Sequence, residues 1–266
     1  MGVLGPLDYQ TRDMTSFEIG LLVFACVFGG AVSGMLIGVA LPEHHLSPET
    51  RSVVSVASGT ISVLTALVIG LLIASTKGAF DTQTKEVQGF SADLSLLDRV
   101  MLKYGPETSE ARDLLRRYAA LKITLIWPEE NTGGPRIDDP TALEMLEGVQ
   151  EKLLQLTPQN DAQRWLQSRA LQIGGNLIQA RWLMSAQNES SIPLPFLVTL
   201  VFWLTILFTS FGLFAPRNAT AAAALLVCAL SVSAAIFLIL EMDRPFDGLI
   251  KVSAEPARNA LAHMRP

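Results

Sequence analysis

The chain has 266 residues, half of them apolar and only 17% charged, with a formal charge of −5. Soluble domains carry about a quarter charged residues, and the mean hydropathy here is +0.37, so this apolar content suits a bilayer. A disordered chain, a disulfide scaffold and a basic nucleic-acid binder are excluded, and no nucleic-acid partner is expected.

Four segments are long and apolar enough to cross a membrane: 17–41, 52–76, 192–214 and 220–240. A crossing takes roughly 20 such residues, and a helix satisfies its own backbone in lipid. The first segment has one charge, Glu18, at its start; the other three have none. It is too long for the core of a signal peptide and follows acidic residues, Asp8 and Asp13, so it is expected to be a retained helix. Gly30, Gly34 and Gly38 form a ridge for close helix packing on it. Cys26 and Cys228 sit in separate apolar runs, so no zinc site is implied.

The spans pair through short connections that hold Pro42, Pro48 and Pro216. A polar insertion, 77–191, separates the pairs, so both termini and the insertion share one side. That side carries Arg12, Lys77, Lys85, Arg181, Arg244, Lys251 and Arg258 close to span ends; the other carries Arg51 and Arg217. Positive flanks mark the cytoplasm, which predicts a multi-pass protein of the bacterial inner membrane. The expected fold is all-α: four transmembrane helices with a helical cytosolic insertion between the second and third. Its parts are 1–76 (tail and first hairpin), 77–191 (cytosolic helices), 192–240 (second hairpin) and 241–266 (cytosolic tail).

The insertion reads as helices, with mixed charge that suits solvated faces. Val87, Phe90, Leu94, Leu97, Met101 and Tyr104 make one stripe at spacings of three and four. With no breaker before it except Gly78, that helix can run on from the second span, and Gly105-Pro106 stops it. A second helix places Leu114, Tyr118, Leu121 and Leu125 on one face and ends at Trp127-Pro128. After a loop, Asp139-Pro140 caps a third, with Leu146, Val149, Leu153 and Leu156 inward. Thr157-Pro158 is expected to cap a fourth, with Leu166, Ile173, Leu177 and Met184 inward, running to about residue 187.

Hydrolytic, nucleotide-binding and zinc motifs are absent from the sequence, so no catalytic residue is assigned and an enzyme is not expected. His44 and His45, with Glu43 and Glu49, are a weak candidate metal set in an outer loop. On the second span Ser55, Ser58, Ser62 and Thr65 fall on one helical line that continues to Ile69, Leu72 and Thr76. Such hydroxyls either bond a neighbouring helix or face water. In the second case the line is pore-lining, and Ile69 and Leu72 are the gate. Ionisable residues are missing from the span centres, which argues against a proton relay. After the fourth span Glu241, Asp243 and Asp247 crowd a helix end that is already negative. Either Arg244 answers them or they hold a cation.

Five segments carry a resemblance: ALVIGLLIASTKGAFDTQTKEV (66–87), LLDRVMLKYGPETSEARDLLRR (96–117), LTPQNDAQRWLQSRALQIGGNLIQARWLM (156–184), SIPLPFLVTLVFWLTILFTSFGLFAPRNAT (191–220) and LILEMDRPFDGLIKVS (238–253). With them the chain resembles the bacterial bestrophin-like domain family, four-helix membrane proteins. Bestrophins themselves are pentameric ion channels, and a Pro-Phe pair after the last span is shared here as Pro245-Phe246. The resemblance implies a homo-oligomer in the lipid bilayer that passes small inorganic ions, with the second helix lining the path. It also implies a cation-binding part for the acids after the fourth helix. The alternative expectation is a non-conducting scaffold or signalling protein that presents its cytosolic helices to a partner.

Overall fold

The computed structural model describes residues 15–42, 47–128, 135–136, 138–186 and 192–264. Among them the chain is helical, without a strand: α1 (Ser16–Ala40), α2 (Pro48–Tyr104), a 3-10 turn (Pro106–Thr108), α3 (Ser109–Ile126), α4 (Pro140–Leu154), α5 (Asp161–Ala186), α6 (Leu194–Leu213), α7 (Ala219–Met242) and α8 (Glu255–His263). Four of these, α1, α2, α6 and α7, are long and apolar enough to cross a membrane. The second span and the first insertion stripe are one helix of 57 residues, about 85 Å at 1.5 Å per residue. The chain divides into two compact units, Met1–Ser75 with Ile192–Glu241 and Thr76–Ser191 with Met242–Pro266.

The apolar unit is organised by the pairing of α1 and α6. Glu18 is more than a stray charge at the start of α1. Its carboxylate accepts from the Thr15 amide at 2.8 Å, while Thr15 Oγ1 accepts from the Glu18 amide at 3.2 Å, a capping box. The expected glycine ridge meets α6 at backbone distance. A Cβ on Gly34 would lie 2.1 Å from the Thr209 carbonyl oxygen, and one on Gly38 would lie 2.9 Å from that of Leu213. Gly212 answers from α6, where a Cβ would come within 2.0 Å of the Ala31 oxygen. Thr205 and Thr209 spend their hydroxyls on carbonyls one turn back, at 2.8 and 2.7 Å, and pack against Gly30. At the other end of α1, Gly20 fits against Phe237 of α7. Arg217 Nη2 donates to the Gly38 carbonyl at 2.7 Å, answering an orphan acceptor in the last turn of α1. Arg51 lies 5.9 Å over the Phe214 ring.

The second unit has a helical core in which Leu94, Leu97, Met101, Leu115, Leu146, Leu153 and Leu177 are fully buried. Helix ends are closed by side chains from neighbours. Gln163 Nε2 donates to the Tyr104 carbonyl at 3.2 Å, and Gln167 Nε2 to those of Leu153 and Leu156 at 2.8 and 3.0 Å. Gly105, at φ 137°, turns the chain after α2. Arg112 forks onto Asp98 at 2.8 and 3.4 Å.

Several expected details shift. The buried line of α3 is Ala111, Leu115, Tyr118, Ala119, Lys122 and Ile126; Leu114, Leu121 and Leu125 are half-buried flanks. Asp139 caps α4 as expected, accepting from the amides of Thr141 and Ala142. The cap of α5 is Asn160, whose Oδ1 accepts from the Gln163 amide at 2.9 Å, rather than Thr157. Pro158 therefore lies before the helix instead of in its first turn. The expected tail folds back as α8, which packs on α3. Phe246 holds it there, buried and edge-on to Trp127 at 6.0 Å, while Trp127 Nε1 donates to the Val252 carbonyl at 2.8 Å.

Two outcomes follow from this packing. Gly34→Val forces α1 and α6 apart and lowers the thermal unfolding midpoint in detergent, by about 1–3 kcal/mol of overpacking. Gly29→Ala, where an added Cβ meets nothing within 4 Å, leaves the midpoint unchanged. Phe246→Ala costs about 3–5 kcal/mol and releases the last helix, read as faster trypsin cleavage at Lys251 and Arg258.

Candidate functional site

In the apolar unit, α2 presents three faces. The predicted hydroxyl line lies largely on the inner one. Ser58, Thr65 and Leu72 are buried at 7%, 4% and 7% exposure, Ser62 and Ile69 are half-buried, and Ser55 is exposed. Leu72, with Val68 and Ile69 beside it, joins a cluster that includes Val27 of α1, Leu204 of α6 and Ile236 of α7. For Ser58, Thr65 and Leu72 the packing reading therefore replaces the water-facing one in the single chain. Thr65 Oγ1 on α2 and Ser233 Oγ on α7 are both buried without a hydrogen-bond partner.

A second face is large and apolar: Val53, Val56, Val63, Leu64, Leu67 and Leu71 are 45–71% exposed. The third lies about 90° around the helix from the buried line, at roughly 100° per residue. It runs through Ser52, Ser55, Gly59, Ser62, Ala66 and Gly70, all exposed except half-buried Ser62. A Cβ on Gly59 or Gly70 would meet nothing within 4 Å. Sequence reasoning found Ser55 and Ser62 but missed the glycines and Ala66. The signal was their spacing of three and four, read there for hydroxyls alone.

Among the described residues no group of three or more His, Cys, Asp or Glu side chains is placed to hold a metal ion. Glu241 is buried near the end of α7, whereas Asp247 is exposed in the following turn and accepts from the Gly248 amide at 3.0 Å. His44, His45 and Glu43 of the other metal candidate lie outside the described residues, as does Arg12.

The second unit holds a buried polar cluster that periodicity did not reveal. Tyr118 and Lys122 stand one turn apart on α3, at 0% and 1% exposure, and Arg181 of α5 is 3% exposed. One guanidinium nitrogen, Nη2, donates to Asp138, and the group stacks 5.3 Å from the Trp182 ring. Arg181 Nε and Nη1 and the Tyr118 hydroxyl are buried without partners. Asp139 spends its carboxylate on the α4 cap and on Arg136 at 3.2 Å. Burial pushes the Lys122 ammonium down to about 8, and Arg181 adds to that; Asp138 and Asp139 oppose it. Burial pushes the Tyr118 phenol well up, with Arg181 drawing it partly back. The antiparallel pairing of α2 and α3, with Asp98 on Arg112 and Phe90 against Tyr118, sets Glu86 level with Lys122.

A family model described as the Bestrophin-like domain matches residues 25–257. No curated protein and no solved structure matches the chain. The matched stretch takes in the glycine contact of α1 and α6, all three faces of α2, the Tyr118–Lys122–Arg181 cluster and the Phe246 anchor. On that extent the chain belongs to the bestrophin-like family.

Proposed function

We propose that several copies of this chain surround a common axis and form a channel for small inorganic ions in the bacterial inner membrane, with α2 lining the path. Membership of a bestrophin-like family supports the channel class. The observation that carries the reading is the ridge Ser52, Ser55, Gly59, Ser62, Ala66 and Gly70, which the chain's own helices leave uncovered. Small residues on a bilayer helix permit close approach by another helix or by water, whereas lipid is best met by bulk, as on the Val53–Leu71 face. Ser55 and Ser62 give the path its hydroxyls. Ile73, 45% exposed and on the same ridge, takes the constriction role first assigned to Ile69 and Leu72. Five copies is the number suggested by the resemblance to bestrophins. The excess of Lys and Arg on the flanks of the second unit supports a cytoplasmic position for it.

Purified protein in planar bilayers is expected to conduct, and its mass in detergent to be a multiple of one chain. Ile73→Ser raises open probability, and Gly59→Leu lowers the current by roughly tenfold by filling the ridge. Leu72→Ser, inside the unit, destabilises without opening the path. A silent, single-chain protein defeats this reading. It favours the non-conducting scaffold, for which Trp165 and Trp182 of α5, 65% and 55% exposed, offer a partner surface.

A further inference from the structure

We propose that the groove between α3 and α8 binds a small organic anion, one carboxylate or phosphate head on a short apolar body. The two helices pack against each other, and α8 turns Ala257 and Ala260 inward. Beside that seam lies a cavity of about 430 Å³, a volume that suits a small ligand. Each helix supplies one arginine and, within two turns, smaller apolar side chains: Arg116 with Ala120 and Ile123 from α3, Arg258 with Leu261 and Ala262 from α8. Buried Met264 completes the apolar wall. The Thr124 hydroxyl in that wall donates to the Ala120 carbonyl at 3.1 Å, so the side-chain donors left to a ligand are the two guanidinium groups. Elsewhere in this unit arginines meet carboxylates: Arg112 meets Asp98, Arg136 meets Asp139, Arg164 meets Asp161 and Arg181 meets Asp138. Among the described residues Arg116 and Arg258 have neither an ion pair nor a hydrogen bond, although Asp113 and Glu255 stand within one turn of them on their own helices. The pairing of two free forks with an apolar wall selects the occupant. Water solvates the forks but gains nothing from Ile123, Leu261 and Met264, and an inorganic anion has the same shortcoming. A purely apolar molecule leaves both donors unanswered. An acidic head accepts from the guanidinium groups while its apolar body displaces water from the rest of the wall. The groove lies wholly in the second unit, so the proposal does not depend on conduction.

The test is calorimetric titration of the full chain in detergent, with 4-phenylbutyrate and phenyl phosphate as the two acidic probes. 4-Phenylbutanol carries an apolar body without charge, and acetate carries the head without the body. Expected is one saturable site per chain for at least one acidic probe, with both controls weaker by about tenfold or more. Saturation by either acid supports the proposal, and the tighter of the two names the head. Arg116 and Arg258 are exposed, so Arg116→Gln and Arg258→Gln leave the core untouched, and each raises the dissociation constant about tenfold. Ala120→Leu, at another exposed position, keeps both arginines but fills the groove, and weakens the acidic probe by a similar factor. Four results overturn the proposal. Neither acid gives a saturable heat. The native chain and the Arg116→Gln, Arg258→Gln double variant titrate alike, because the probe then only enters the detergent. Acetate binds as tightly as 4-phenylbutyrate, because the arginines then act without the wall. Or 4-phenylbutanol does so, because the wall then acts without the arginines.

Discussion

Backbone contact between α1 and α6 is the constraint around which the apolar unit is built. Lipid tails are as apolar as leucine, so burying leucine against leucine gives little net drive in a bilayer. Close approach does, because dispersion rises steeply as surfaces meet. Gly30, Gly34, Gly38 and Gly212 permit that approach: a side chain on any of them would meet a carbonyl oxygen. Gly59 and Gly70 of α2 are the same residue type in the opposite situation, with nothing near them. The chain uses one set of small residues internally and leaves the other uncommitted. This asymmetry is the reason assembly is argued through α2 and not through α1.

The second unit obeys different rules. Its leucines turn inward, and its helix ends are closed by Gln163, Gln167, Asn160 and Asp139. Against that thorough satisfaction, three unmet donors in one cluster stand out. A buried lysine held near 8 and an arginine with one carboxylate partner destabilise a core that apolar residues of similar volume would stabilise.

Much of this architecture was legible in the sequence. The four apolar helices, the stripe from Val87 to Tyr104 and the cap at Asp139 follow from length, period and cap chemistry alone. What was lost was phase. On α3 the leucines at 114, 121 and 125 and the tyrosine at 118 share a period with the true buried line, but Lys122 occupies a buried place on it. A lysine in an apolar stripe reads as the stripe's edge, so the register moved by one residue and the polar cluster disappeared from view. Thr157 failed as a cap for a local reason: Asn160 offers an equivalent oxygen nearer the helix, and Gln163 donates its amide to it. The last helix was missed because α8 is short, and its hold depends on Phe246 and Trp127, residues 119 positions apart in sequence.

In α2 the loss of phase has a deeper cause. A soluble helix announces its inner face by polarity, since its outer face must satisfy water. A helix in lipid has no such contrast, and a hydroxyl bonded to its own backbone, like that of Thr60 to the Val56 carbonyl at 3.2 Å, fits any face. Small volume marks the groove instead: Thr65 and Leu72 turn inward, Val63, Leu67 and Leu71 turn outward, and Ser55, Gly59, Ala66 and Gly70 form a groove between them. Reading hydroxyls as polarity merged the inner face with the groove, because Ser55 and Ser62 border both. Reading them as small residues separates the two, and the groove then stands as the one face of α2 fitted neither to the chain's own helices nor to lipid.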